Sequence, residues 1–314
     1  MRGGRSTPAG SHRPVMLETV LEVLAPRAGQ IAVDATVGFG GHAVELLQRV
    51  GPAGKLIGLD RDADNLEQAR ARLEAVGHPF ALHHTNFAGL ANVLGAESLA
   101  GVDLLLADLG MSSMQVDDPE RGFSYRRDGP HDMRMDRSRG QTAADLLASI
   151  DEAELARALA ELGDELNARP IAAAIVKARG KRPLARTSDL VDVIAQALKI
   201  DTGQWKLHPR PGKWNLHPAA RTFQALRLLV NRELESLEHL LRILPDCLQP
   251  GGCAALISFH SGEDRLVKGA FRDGLRLGVY AEISKEPVRP GAAERVANPR
   301  ARSAKLRWAR KADA

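Results

Sequence analysis

Three acids and a glycine-rich turn are spaced to hold a small charged ligand. The segment Asp34-Ala-Thr-Val-Gly-Phe-Gly-Gly-His42 follows the apolar residues Ile31, Ala32 and Val33. Glycine lets the backbone turn sharply there and lets a ligand approach it closely. Asp60 closes the next apolar run, 20 residues after Gly40. A carboxylate at that point can accept hydrogen bonds from ribose hydroxyls. Gly38-x-Gly40-x-x-Ala43 satisfies the dinucleotide fingerprint, so a nicotinamide cofactor fits the turn. Three further residues favour S-adenosylmethionine. Asp34, just ahead of the glycines, can fix the turn or meet the cationic amino-acid end of that cofactor. Phe87 follows the third apolar run and can line an adenine slot. Asp108 ends a fourth apolar run, at the rim where a methyl group would be presented.

These residues need a scaffold, and the periodicity supplies one. Short apolar runs at 31–34, 56–60, 80–85 and 102–107 alternate with helical patterns at 43–50, 62–76 and through the nineties. Strands alternating with helices predict a doubly wound parallel sheet. The rhythm stops at Asp108. Residues 109–140 fit no period, and residues 141–199 read as helices only, with Thr142, Asp151 and Thr187 or Ser188 as N-caps. Residues 200–218 carry a near-repeat, Trp205-Lys-Leu-His-Pro209 and Trp214-Asn-Leu-His-Pro218. One long amphipathic helix is then expected, with Leu226, Val230, Leu234, Leu237, Leu241 and Leu244 on one stripe. Pro250-Gly-Gly252 reads as a turn, 253–259 as a strand, and 279–288 and 304–310 as two closing strands. The expected fold is α/β with a mostly parallel sheet, interrupted by an all-helical insertion. The boundaries are a disordered tail at 1–11, a cofactor-binding domain at 12–111 and 218–314, and the insertion at 112–217.

Composition narrows the class. Hydrophobic residues make up 44% and charged residues 26%, which suits a soluble globular chain with a real core. The net charge of +4 is compatible with a polyanionic partner. Cys247 and Cys253 form no C-x-x-C pair and read as buried thiols in a reducing compartment. The polar segment Met1 to Ser11 has no apolar run of the kind a secretory signal needs. No apolar run approaches the roughly 20 residues of a membrane helix. The cytoplasm is the expected location, with no membrane partner.

From Asp108 onward the residues resemble one family. Asp108-Leu-Gly-Met-Ser-Ser113, Gln115-Val-Asp-Asp-Pro-Glu-Arg-Gly-Phe123 and Asp128-Gly-Pro-His-Asp-Met-Arg-Met-Asp136 look like successive signatures of the bacterial small-subunit (16S) ribosomal RNA cytosine-N4 methyltransferases. The likeness continues in His12-Arg-Pro-Val15, Gly40-Gly-His42, Arg221-Thr-Phe-Gln-Ala225, Val230-Asn-Arg-Glu-Leu234, Ile257-Ser-Phe-His-Ser261, Glu263-Asp-Arg265 and Asn298-Pro-Arg-Ala-Arg-Ser303. The resemblance implies a Rossmann-like class I methyltransferase fold that uses S-adenosylmethionine. Gly40, Gly41 and His42 would lie against the methionine part, Asp60 at the ribose, Phe87 near the adenine, and Asp108 and Gln115 near the reacting end. The substrate would be the exocyclic N4 of a cytosine in the decoding region, met in an assembled or nearly assembled small subunit. The helical insertion would contribute to substrate recognition, and a homodimer is compatible with the reading. The chain departs from the family pattern at Gly262, where Leu is usual, at Thr85, where Gly is common, and in the Val-Gly-Phe-Gly-Gly turn.

On that reading catalysis is mainly positioning. Cytosine N4 is a poor nucleophile, because its lone pair is delocalised into the ring. A carboxylate at Asp108 that accepts a hydrogen bond from the amino group raises electron density on nitrogen. His260, at the tip of the fifth strand, can take the proton later, pair with RNA or serve the fold alone. Basic residues of the rim are candidates for RNA: Arg121, Arg126, Arg127, Arg134, Arg137 and Arg139, and the C-terminal Arg300, Arg302, Lys305, Arg307, Arg310 and Lys311. Phe123, Tyr125, Trp205 and Trp214 can stack on unpaired bases or pack in a core. Two other classes compete: a nicotinamide-dependent oxidoreductase, resting on the glycine turn, and a non-catalytic ribosomal RNA-binding assembly factor that keeps the fold.

Overall fold

A computed structural model describes residues 14–200 and 217–313. The expected tail at 1–11, His12, Trp205 and Trp214 lie outside the described residues. The chain forms two compact units, one running to Gly110 and resuming at Leu234, the other Met111–Glu233.

In the first unit α1 (Leu17–Leu24) precedes β1 (Ile31–Asp34), α2 (Gly41–Val50), β2 (Lys55–Asp60), α3 (Ala63–Glu74), β3 (Phe80–His84), α4 (Leu90–Ala96) and β4 (Val102–Asp108). The expected strands and helices therefore form. Asp62 starts α3 by accepting the N–H of Asp64 at 3.2 Å, a side-chain cap that satisfies an otherwise orphaned donor.

The second unit holds α5 (Ser113–Asp117), α6 (Ala143–Ser149), α7 (Glu152–Gly163), α8 (Ala168–Arg179), α9 (Thr187–Ala197) and α10 (Ala220–Asn231). Thr142 and Asp151 cap α6 and α7 as expected. Its core gathers Leu147, Leu155, Leu159, Ile171, Ile175, Leu190, Ile194 and Phe223. The irregular segment before α6 is tied to α10 by Asn231, whose Oδ1 accepts the N–H of Met135 at 2.8 Å. Asn231 Nδ2 donates to Met133 O at 2.7 Å and Arg227 O at 2.9 Å.

The chain then returns to the first unit through α11 (Glu233–Cys247), β5 (Leu248–Ser258), α12 (Ser261–Arg276), β6 (Tyr280–Ile283), α13 (Ala292–Ala297) and β7 (Lys305–Lys311). The one long helix expected from the Leu stripe is two helices. Arg232 takes a left-handed conformation, φ 49 and ψ 44, and ends α10. Leu226 packs in the helical core, whereas Leu237, Leu241 and Leu244 pack against the sheet. The stripe was continuous in sequence because both helices bury leucines, each in its own core. The second unit accordingly ends at Glu233 rather than at 217. Pro250-Gly-Gly252 is no free turn either; β5 runs through it, with an irregular register opposite Val102 and Leu104.

The sheet order is β3-β2-β1-β4-β5-β7-β6. The first five strands pair in parallel, and β7 is antiparallel to both β5 and β6. Side chains alternate between two cores, as the pleat requires. Val33, Ile57, Leu59, Leu105, Ala107, Ala254 and Leu256 face one, with Leu237, Leu240 and Phe271. Ala32, Leu56, Leu104, Leu106, Ala255 and Ile257 face the other, with Leu24, Leu46 and Leu73. Cys247 and Cys253 are buried thiols that burial pushes up to about 11. Among the described residues no helix is long and apolar enough to cross a membrane.

Asn231→Ala should leave the Met135 amide and the Met133 carbonyl buried without partners. At about 1–3 kcal/mol for each unmet group, the second unit should lose about 2–6 kcal/mol, measured by urea denaturation followed by circular dichroism. A loss below about 0.5 kcal/mol, the level of an ordinary surface substitution, would show that Asn231 does not hold the segment.

Candidate active site

β1 and β4 are the neighbours at which the strand order reverses. In an open parallel sheet the crevice beyond their carboxyl ends is where ligands bind. Asp34 is the last residue of β1 and Asp108 the last of β4. Thr36 joins the two ends. Its hydroxyl oxygen accepts the Asp108 N–H at 2.7 Å, its hydroxyl hydrogen-bonds the Asp34 carboxylate, and its own N–H donates to Asp34 Oδ1 at 3.1 Å.

The other oxygens are unmet. Asp34 Oδ2 and Asp108 Oδ1 are buried without a hydrogen-bond partner. Burial pushes the Asp34 carboxyl up to about 7 against the pull of the Thr36 amide, and the charge of Asp60 adds to the rise. Asp108 is held well above the usual carboxylate range, first by burial and then by the charges of Asp34 and Glu263. Among the described residues neither acid has a lysine or arginine partner. The nearest ring nitrogen is His42 Nδ1, 4.0 Å from Asp108 Oδ2. His42 Nε2 lies 2.9 Å from Val15 O. A carbonyl only accepts, so the proton sits on Nε2 and a lone pair on Nδ1. Burial lowers His42 to about 4, so the imidazole is neutral at pH 7 and gives the acids no counter-charge.

The glycine turn is fixed from below by Asp60. Its Oδ2 accepts the Gly38 N–H at 2.7 Å and its Oδ1 the Asp62 N–H at 2.8 Å. Burial raises its pKa and these amides oppose the rise. Gly40, at φ 77, caps α2 in a conformation that side chains other than glycine rarely adopt. A Cβ on Gly41 would come within 2.6 Å of Pro14 Cγ. Phe87 opens a short 3-10 turn and packs, half-buried, on the first core. The preceding Asn86 donates from Nδ2 to Ser236 Oγ at 2.8 Å.

The structure thus brings Asp34, Gly40, Gly41, His42, Asp60 and Asp108 to the ends of β1, β2 and β4 and the start of α2. Gln115 belongs to the second unit. There its Oε1 accepts the Ser112 N–H at 3.0 Å while its own N–H donates to Ser112 Oγ, a capping box at the start of α5. His260 caps α12, just past the end of β5, and its Nε2 lies 3.1 Å from Glu263 Oε1. Sequence reasoning gave no role to Thr36 or to Glu263. The available signals were a hydroxyl two residues past a strand-ending acid and an acid three residues past a helix cap.

Much of the basic rim is tied to acids or backbone carbonyls, and Arg121 and Arg307 are buried. Arg121 is buried and donates to the carbonyls of Arg134 and Met135. Arg134 forks onto Asp132, and Arg139 pairs with Asp136. Arg127 pairs with Asp117. Near the C-terminus Lys305 and Arg307 both pair with Asp264, and Lys311 donates to Leu248 O. Phe123 is core. Asp117 and Asp118 lie at the end of α5, where Asp118 caps the next turn through the Glu120 N–H.

The chain matches known proteins over most of its length. The model of the MraW methylase family matches residues 9–312. Ribosomal RNA small subunit methyltransferase H of Geobacter sp. strain M21 is 45% identical over 311 residues, covering 94% of this chain and 97% of that protein. The protein of the same name in Geobacter sulfurreducens is 46% identical over 319 residues, covering 96% and 99%. Among solved structures, TrmN from Thermus thermophilus aligns with a TM-score of 0.43 at 15% identity, over 96% of this chain and 50% of that one.

The buried acid has a consequence for stability. In the unfolded chain Asp34 titrates near the ordinary value of about 4; in the fold it titrates near 7. Between those values the folded protein holds a proton that the unfolded chain has lost. The free protein therefore loses stability as pH rises through that window. Asp34→Asn keeps the acceptor oxygen but not the charge. It should raise Tm over the parent at pH 8 and leave little difference at pH 4, by calorimetry of the cofactor-free protein. An equal Tm at pH 8 would mean that the charge is not strained by burial.

Proposed function

Since the chain belongs to the MraW methylase family, we propose that it methylates the exocyclic N4 of a cytosine in the decoding region of small-subunit ribosomal RNA. The coarser statement stands on family membership: this is an S-adenosylmethionine-dependent methyltransferase of small-subunit ribosomal RNA. The cytosine and its N4 atom rest on the resemblance of the Asp108 to Asp136 signatures.

One observation carries the site. Two carboxylates, each with a buried unmet oxygen and no basic partner among the described residues, end the strands at the reversal point. A ligand bearing a sulfonium and an ammonium supplies the missing positive charge. When bound, S-adenosylmethionine supplies a methyl group made electrophilic by a positively charged sulfur. The residues present fit it. Asp34 faces the ammonium end. The first amides of α2, at Gly41 and His42 behind Gly40, meet a carboxylate, as helix N-termini favour anions. Asp60 is assigned to the ribose and Phe87 to the adenine. The resemblance adds Gln115 as a cofactor contact.

Asp108 is the residue we assign to the substrate. Its unmet Oδ1 accepts a hydrogen bond from the amino group and so raises electron density on nitrogen. Burial keeps that acceptor out of competition with water. His260 is assigned to the proton that the amino nitrogen must lose. The helical unit is assigned to recognition of the RNA, in an assembled or nearly assembled small subunit. A nicotinamide reading has only the glycine spacing in its favour. An assembly factor without activity is separated from an enzyme by the transfer assay itself.

The test is transfer of a labelled methyl group from S-adenosylmethionine to small subunits that lack the modification, with nuclease digestion of the product. Labelled N4-methylcytidine is the expected result; label at another atom or on another base would overturn the proposed target. Asp108→Ala should reduce kcat by about 100-fold or more, the scale of a lost positioned acceptor. Near-normal turnover would remove Asp108 from the mechanism.

A further inference from the structure

The two unmet carboxylates do not stand level. In the pairing of β1 with β4, Asp34 lies opposite Leu106. Asp108 therefore stands two residues farther along the strands, about 7 Å at roughly 3.3 Å per residue. Both side chains leave the same face of the sheet, because side chains alternate along a strand. Asp34 keeps step with Ala32, and Asp108 with Leu104 and Leu106, all in the core that also holds Leu46 of α2. Depth separates the two acids as well. Asp34 is 1% exposed, whereas the Asp108 side chain is 24% exposed. The result is an inner and an outer acid on one face, matched to a ligand with two cationic centres on one short aliphatic chain.

The surroundings of the outer acid are negative or neutral. Asp34 from β1 and Glu263 from α12 both act on Asp108 as like charges, and Asp60 from β2 acts on Asp34 in the same way. His42 on α2 is neutral at pH 7. His260, past the end of β5, uses a ring nitrogen to accept the Glu263 N–H in the cap of α12. A nitrogen that accepts carries no proton, so this ring too brings no charge. On β7, Lys305 and Arg307 are tied to Asp264. Asp108 is therefore ionised at a cost unless a positive charge lies beside it.

We propose that Asp108 selects the sulfonium cofactor over its spent thioether product by reading the charge on sulfur. This rests on the methyltransferase reading. Cofactor and product share the ammonium that Asp34 is assigned to meet, so Asp34 does not tell them apart. They differ by the sulfonium charge. Beside the sulfonium Asp108 is ionised, and its proton goes to water. Beside the neutral thioether no counter-charge remains, and Asp108 keeps its proton. Binding of the cofactor thus sheds one proton that binding of the product does not, and rising pH favours the cofactor. After transfer the product lies next to an acid that has lost its partner, which favours exchange for fresh cofactor.

The test is calorimetric titration of the full chain with S-adenosylmethionine and with S-adenosylhomocysteine, in two buffers of different ionisation enthalpy. At pH 6 the cofactor should release about one proton more than the product. Its preference over the product should grow as pH rises from 6 to 7, by up to about 10-fold per unit. Asp108→Asn keeps an acceptor oxygen but no charge. It should cut that preference by about 10-fold at pH 7, the scale of a partly screened charge pair, and remove its pH dependence. Asp34→Asn should weaken both ligands alike and leave the preference within about 3-fold of the parent's. Equal proton release for the two ligands in the parent would overturn the proposal without recourse to any variant. So would a preference in Asp108→Asn within about 3-fold of the parent's, or a loss of preference in Asp34→Asn as large as in Asp108→Asn. If the parent binds neither ligand, the methyltransferase reading itself fails and the proposal falls with it. Equal affinity with equal proton release leaves that reading standing and overturns the proposal alone.

Discussion

Asp34 and Asp108 end adjacent parallel strands, Asp34 buried and Asp108 partly buried with its Oδ1 sealed from water, and no arginine or lysine among the described residues answers them. Two carboxylates in such a place resist being ionised together. Thr36 meets the problem in part, with one amide and one hydroxyl shared between the strand ends. His42 does not meet it, because its ring is neutral and spends its N–H on Val15. The cofactor-free site is therefore incomplete in charge rather than in shape, and a cationic ligand completes it.

The rest of the first unit keeps those strand ends in place. Alternate residues of β1, β4 and β5 go to opposite cores, so neither face can slip without exposing the other. Asp60 ties the glycine turn to the end of β2 through the Gly38 amide. Glu263 does the same for the turn after β5 through the Phe259 amide. In each case a carboxylate is a fastener of backbone, and Asp60, which looks functional in sequence, serves twice. That double use explains why strand-ending acids cluster here: the N–H groups that point out of a parallel sheet's carboxyl edge need acceptors.

The sheet was legible because its strands are short apolar runs broken by glycine and closed by acids. Asp34, Asp60 and Asp108 could be placed at strand ends for the same reason. The helical insertion was legible as a loss of strand periodicity after Asp108. Its far boundary was not, because the leucine stripe crosses Arg232 without a change of period, and no glycine or proline marks a left-handed residue there. The arginines misled for another reason. Charge counted along the chain does not say which guanidinium faces water. Arg121 is buried among backbone carbonyls, and Arg307 is buried against Asp264. Thr36 and Glu263 escaped notice because their partners are fixed by local geometry that composition and spacing only hint at.

The break at Arg232 bears on how such a chain can vary. Along an unbroken helix each residue turns the next by about 100°, so one inserted residue would rotate every side chain beyond it. Here a single left-handed residue resets the phase between α10 and α11. Arg227 and Glu233 bridge the reset with a buried two-point contact at 2.9 and 3.1 Å. The sheet-facing leucines Leu237, Leu240, Leu241 and Leu244 take their orientation from α11 alone. The helical unit is thus free to gain or lose residues ahead of that point without misaiming the core that supports the strand ends. One half of the chain can drift in length while the other stays in register.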